Sequence, residues 1–155
     1  MTPATKQLKR HKIPFEILQY QHDANASSFG LEALNKLSLN AEQVFKTLVV
    51  CCDSGALVVA LVPVNLKLNL KAIAKTLKVK KVKMADATRV ETSTGYVLGG
   101  VSPLGQKKPL STVIDVSANK FEQIYVSGGR RGLEIALSPS DLAKMCRANF
   151  ADISS

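Results

Sequence analysis

The chain has 155 residues, 46% of them hydrophobic and 21% charged, with no tryptophan. That balance suits one folded domain over residues 1–155 and excludes a disordered or low-complexity chain. Lys and Arg outnumber Asp and Glu by 21 to 12, a formal net charge of +9. This favours a polyanionic partner, and nucleic acid over a membrane, because no basic amphipathic helix with a strong apolar face stands out.

In chain order, Thr2 caps a first helix with Pro3 at its first position, and that helix stops before Pro14. Phe15 to Tyr20 reads as a strand. Leu31, Leu34 and Leu37 set the apolar stripe of a short helix after Gly30. Asn40 and Gln43 resemble a capping box for another turn of helix. Phe45 to Cys52 and Ala56 to Val62 flank Asp53-Ser54-Gly55, a hairpin signal. Both runs are nearly all apolar, so both faces of the hairpin should be covered.

Asn69 caps a helix with the stripe Leu70, Ile73, Ala74 and Leu77. Val79 to Met84 is a short strand, and Asp86 caps the next helix. Thr92 to Lys108 is rich in Gly, Ser, Thr and Pro and reads as loop. Strands follow around Val113–Ile114, Ile124–Ser127 and Leu133–Leu137, the last two joined by a glycine-rich turn from Gly128 to Gly132. Ser138, Pro139 and Asp141 start a final helix running to about Asn149. The expected fold is α/β in the mixed α+β sense, a single domain. Its curved, mixed, largely antiparallel sheet or barrel is surrounded by helices.

The three cysteines lack metal-ligand spacing, and Cys51 and Cys52 should point to opposite faces of one strand. An odd count without a disulfide framework points to a reducing compartment. The N-terminus has no apolar run of signal-peptide type, and the longest apolar stretch is too short to span a bilayer. The expectation is a soluble cytoplasmic protein without metal or cofactor. His11 and His22 read as surface residues, and no serine stands in a nucleophile-elbow context.

Lys46 interrupts an apolar strand, on one face with Val44, Leu48 and Val50. Two readings stand: a pocket lysine that meets phosphate or ribose, or a strand-end lysine whose stem packs while its head reaches water. In the loop Gly95 to Pro103, Gly99 and Gly100 let the backbone approach a ligand, so that N–H groups face a carbonyl oxygen. Taken alone, the same loop reads as an ordinary glycine turn.

The string from Ser93 to Lys108, STGYVLGGVSPLGQKK, closely resembles the signature of the YbaK family. So do Ile124 to Ile135, the opening MTPATKQLKRHKIPF, the segments at Tyr20 and Phe29, and FKTLVV around Lys46. The resemblance runs in order over nearly the whole chain. It implies a relative of the editing domain of prolyl-tRNA synthetases that removes cysteine misplaced on tRNA(Pro) and also acts on Cys-tRNA(Cys). It places the site on Tyr20, Phe29, Lys46, Thr47, Gly99, Pro103 and Ser127. Glu134 stands where the family branch has Asp, one methylene longer.

The chemistry so implied needs no protein nucleophile. The substrate's thiol attacks its own ester carbonyl, releasing a cyclic thiolactone and free tRNA. Lys46 would bind the 3′ end and the Gly99 and Gly100 backbone would face the carbonyl. Tyr20, Phe29 and Ser127 would shape the amino-acid pocket, and the cysteines would take no part. The implied partners are Cys-tRNA(Pro) and prolyl-tRNA synthetase. Two competing readings are an Ala-tRNA(Pro) deacylase that uses water and a non-catalytic tRNA-binding module. Intact Lys46 and an intact glycine loop favour an enzyme.

Overall fold

The computed structural model describes residues 1–24 and 29–155, with the side chain of Phe29 also outside the described set. Helix α1 (Pro3–Arg10) begins at Thr2, whose hydroxyl accepts from the Thr5 N–H while the Thr5 hydroxyl accepts from the Thr2 N–H. Strand β1 (Glu16–Gln19) and helix α2 (Phe29–Leu37) follow. Leu31, expected in the buried stripe of α2, is 44% exposed, and Glu32 and Ala33 are buried instead. Asn40 to Gln43 forms a turn rather than a helix. The Gln43 amide donates to the Gln123 carbonyl instead of closing a capping box.

Strands β2 (Phe45–Cys52) and β3 (Leu57–Pro63) form the expected antiparallel hairpin. Helix α3 (Leu70–Leu77), strand β4 (Val82–Met84) and helix α4 (Ala87–Thr94) come next, with Asn69 and Asp86 as caps. Helix α4 thus runs three residues into the stretch expected to be loop. Strand β5 (Ser111–Asp115), a 3₁₀ turn (Val116–Lys120), β6 (Ile124–Ser127) and β7 (Leu133–Leu137) lead to α5 (Pro139–Cys146). Helix α5 stops short of Asn149 because Arg147 takes a left-handed conformation, φ 52°. Asn149–Ala151 then forms strand β8, parallel to β5.

The strands make two sheets rather than one closed barrel. One is antiparallel, in the order β1-β7-β6; the other is mixed, in the order β4-β2-β3-β5-β8. Side-chain alternation splits the core accordingly. Val50, Val58, Ala60 and Val62 face α3 with Ile73. Val49, Cys51 and Val59 face α4 with Val90 and Tyr96. Phe45, Leu61 and Ile114 meet Val126, Ile135 and Leu137 of the smaller sheet, closed by Leu8 of α1 and Leu142 of α5. Both faces of the hairpin are covered, and Cys51 and Cys52 point into different clusters.

The buried Asp115 ties the end of β5 to the chain after β8. Its Oδ1 accepts from the Ile153 and Ser154 N–H groups, at 3.0 and 3.1 Å. Its Oδ2 accepts from the Ser117 N–H at 3.3 Å and the Ser117 hydroxyl at 2.5 Å. Asp115→Ala leaves the buried Ile153 N–H without its acceptor and removes three part-buried bonds, and should cost about 3 kcal/mol. A lowered urea midpoint with an unchanged slope would register the loss.

Candidate active site

The two sheets meet where Val44 bridges Tyr125 in parallel and the Tyr125 N–H donates to the Gln43 carbonyl. Further along the same edge of β2, Val49 accepts from the Ala85 N–H, and β4 pairs with Val50 to Cys52. Between those two points the edge has no partner strand among the described residues. Ladder alternation directs the backbone of Thr47 toward this edge, as it does that of Val49. The gap opens into a cavity of about 460 Å3, a size that accepts a small-molecule ligand.

Tyr20, Lys46, Thr47, Gly99, Ser127 and Glu134 all line this cavity. Gly100 and Pro103 do not. The Gly100 N–H, expected to face a substrate carbonyl, donates to the Val97 carbonyl at 2.9 Å. That bond closes a turn in which Gly99 takes φ 88°, the position where such a turn favours glycine. Gly100 instead lets the loop pack on the 128–132 turn: a Cβ there would lie 2.8 Å from Arg130 Cα. Pro103 is buried behind the loop, where its carbonyl accepts from the Cys146 thiol at 3.2 Å. The N–H groups of Gly99 and Val101 have no acceptor among the described residues, and both residues line the cavity. The Phe29 side chain lies outside the described residues.

Burial, then the nearby Lys67, lower the pKa of Lys46. Burial pushes the Glu134 carboxyl up to about 8. Neither side chain forms an ion pair among the described residues. The Thr47 hydroxyl is buried with no hydrogen-bond partner there. Ser127 accepts from the Gly129 N–H at 3.2 Å. The cavity is therefore lined by two basic residues, Lys46 and Arg130, with one protonated carboxyl and an unengaged hydroxyl. No Cys or His appears among its described lining residues, and burial pushes the Cys146 thiol up to about 12.

The Glu134 shift fixes the sign of a pH effect. The folded carboxyl keeps its proton to about 8, whereas the ordinary value is 4.5. Between those values the native state binds more protons, so stability falls as pH rises. Glu134→Gln should flatten that decline between pH 5 and pH 8. Chemical denaturation of both proteins across this range checks it.

Two supporting clusters escaped sequence reading. Glu32 is buried on α2. Its carboxylate lies 2.7 Å from His22 Nδ1 and 3.3 Å from Lys36 Nζ, and it accepts from the Asp23 N–H. Burial raises its pKa, but those three partners outweigh burial and hold the carboxyl below its ordinary value. His22 is therefore a half-buried partner of Glu32, not a plain surface residue. Lys36 also donates to the Gln21 carbonyl and sits 5.9 Å from the Tyr20 ring centroid. The Tyr20 N–H donates to Gly132, so this wall of the cavity is held from both sides. In the second cluster, the Leu98 N–H donates to Glu91 Oε2, and Arg131 donates twice to the Leu98 carbonyl.

A sequence model of a family described as "Aminoacyl-tRNA editing domain" matches residues 25–145. The chain belongs to this family. The aminoacyl-tRNA editing family thus accounts for the resemblance carried by the Lys46 strand and the glycine loop, and it makes the protein an enzyme that deacylates aminoacyl-tRNA. One relative is an Enterococcus faecalis (strain ATCC 700802 / V583) protein named "Putative Cys-tRNA(Pro)/Cys-tRNA(Cys) deacylase EbsC". It is 34% identical over 153 residues, 98% of this chain and 92% of its own. The solved structure of a hypothetical protein, APE2540, superposes with a TM-score of 0.88 at 25% identity, over 99% of both chains. Another, described as a "putative trans-editing enzyme for prolyl tRNA synthetase", superposes with a TM-score of 0.82 at 21% identity. It covers 100% of this chain and 99% of that one and shares the fold. No helix among the described residues is long and apolar enough to cross a membrane.

Proposed function

We propose that residues 1–155 act as one trans-editing domain that removes cysteine from mischarged tRNA(Pro), and from tRNA(Cys) as well, in the cytoplasm. The observation that carries this reading is a cavity in which, among the described residues, Lys46 has no ion-pair partner and no nucleophile–base pair is present. A thiol on the substrate supplies the missing nucleophile. Its sulfur bonds to the carbonyl carbon, the ester C–O bond breaks, and the thiol proton ends on the tRNA 3′-terminal oxygen. Lys46 anchors the 3′ end, the Gly99 and Val101 N–H groups face the developing oxyanion, and Tyr20, Thr47 and Ser127 bound the acyl group. Glu134, protonated at neutral pH, is a hydrogen-bond donor rather than a general base.

The test is deacylation of Cys-, Ala- and Pro-tRNA(Pro) side by side. Cysteine should leave fastest and proline stay. Preferential loss of alanine would replace this reading with a water-dependent one. A domain this small has little surface with which to tell one tRNA from another, so prolyl-tRNA synthetase is the proposed partner. Adding it should sharpen the preference for tRNA(Pro).

A further inference from the structure

The structure holds a second cavity, of about 430 Å3, that shares no lining residue with the candidate active site. The ends of α1 and α5 and the segment from Pro103 to Thr112 enclose it. It therefore lies against the loop that carries Gly99 and Val101, at that loop's other end. Residues of this cavity hold that end in place. Gln7 Oε1 accepts from the Gly105 N–H at 2.6 Å, Gln106 Nε2 donates to the Ser102 carbonyl at 2.9 Å, and the Cys146 thiol donates to the Pro103 carbonyl at 3.2 Å. Nothing in the proposed deacylation uses it.

The charge of this cavity is one-sided. Lys144 and Arg147 line it with His11, none of the three forms an ion pair among the described residues, and no Asp or Glu lines it. His11 Nδ1 donates to the Gln7 carbonyl at 3.0 Å, which leaves Nε2 unengaged among the described residues. With Oε1 given to Gly105, the Gln7 amide NH2 also has no acceptor among them. Cations are common at helix C-termini, where they answer the exposed carbonyls. Here those carbonyls are already engaged: that of Gln7 accepts from the His11 N–H at 3.2 Å and that of Ala143 from the Ala148 N–H at 2.8 Å. Each helix end also carries only about half a negative charge, so a surplus of positive charge remains. A guanidinium and an ammonium together suit a phosphate monoester, which carries about −1.5 to −2 charge at pH 7 and three acceptor oxygens. Pro109, Leu110 and Met145 add an apolar wall for the carbon body of such an ester.

We propose that this cavity is a binding site for a phosphate monoester, whose anion meets Lys144 and Arg147 while its body packs on Leu110 and Met145. Two sources offer that chemistry. One is a free small phosphate ester. The other is the 5′-terminal phosphate of the tRNA, the one monoester in a mature tRNA whose internal phosphates are diesters. The proposal goes beyond the deacylase reading, and its test involves no deacylation, so either can fail without the other.

The probe is phenyl phosphate, titrated into the full chain and followed by calorimetry and by NMR of the methionine methyl groups. One site should saturate, the Met145 methyl should shift, and that of Met84, in the other cavity, should stay in place. Lys144→Gln and Arg147→Gln change exposed side chains, so the melting temperature should hold. Each should weaken binding by at least about tenfold, the contribution of one charge-assisted hydrogen bond. Methyl phenyl phosphate, a diester with a single charge, should also bind more weakly than the monoester. Absence of saturable binding overturns the site. So does a shift at Met84 in place of Met145, which puts the ester in the active-site cavity. Undiminished binding by both variants leaves the cations no role and overturns it too. Competition then names the source. Displacement of phenyl phosphate by tRNA with a 5′-phosphate, but not by the same tRNA with a 5′-hydroxyl, assigns the cavity to the substrate's own end. No displacement by either assigns it to a free ester. Equal displacement by both makes the cavity part of a general backbone contact and overturns the monoester site.

Discussion

Lys46→Ala should lower kcat/KM for Cys-tRNA(Pro) by about 10- to 100-fold while the protein stays folded. Lys46 lines the cavity without a carboxylate partner among the described residues, and burial and Lys67 disfavour its charge. Such a cation is unsatisfied until an anion arrives, and a charge-assisted hydrogen bond to it contributes about 1.5–3 kcal/mol. Misplacing the ester relative to the Gly99 turn lowers the rate further. Stability moves the other way. A lysine whose folded pKa is lowered carries a desolvation cost below that pKa, and the cost is relieved as pH rises through it. Removing the charge at pH 7 should therefore leave the melting temperature level or slightly raised. Thermal melting and deacylation on one sample check both halves. A folded variant with near-normal activity would return Lys46 to the role of a strand-end lysine reaching for water.

Ser-tRNA(Pro) should be cleaved at least about 100-fold more slowly than Cys-tRNA(Pro). The two acyl groups differ by one atom, so binding is nearly matched and the ratio reports the nucleophile. A thiol is a few per cent thiolate near pH 7 and intrinsically reactive, whereas a hydroxyl without a base is neither. No described lining residue supplies that base, because Glu134 is protonated at neutral pH and no His reaches the cavity. Equal turnover, measured as release of labelled amino acid, would mean that a water or a protein group attacks instead.

The local signals in the sequence carried most of the fold. The caps Thr2, Asn69, Asp86 and Ser138 each accept the expected backbone N–H. The β2–β3 hairpin follows from two apolar runs around Gly55. Long-range terms were the illegible part. Strand β8 exists because Val113 to Asp115 offer it an edge, and a run of three residues cannot announce that. Glu32 reads as the polar face of α2 until the His22 segment folds over it. At the candidate site, the side-chain positions Lys46, Thr47, Ser127 and Glu134 were nameable from motif strings. Which backbone N–H stays free was not, because Gly100 gives its own to Val97 through a turn geometry that only the folded loop defines.

Helix α1 lines no part of the candidate active site, yet it holds both loops that build the site. Thr2 donates to the Gly128 carbonyl at 2.5 Å, and Gln7 Oε1 accepts from the Gly105 N–H at 2.6 Å. Gly105 packs so closely on Pro3 that a Cβ would lie 2.5 Å from its backbone. The segment from Thr2 to Gln7 therefore acts as a latch on both loops. Release of that latch would scatter the Gly99 and Gly128–Gly132 turns while leaving both sheets paired. In a urea series, deacylation should fade before the far-UV circular dichroism changes. A bulky fusion placed directly on Met1 should shift the first transition and spare the second.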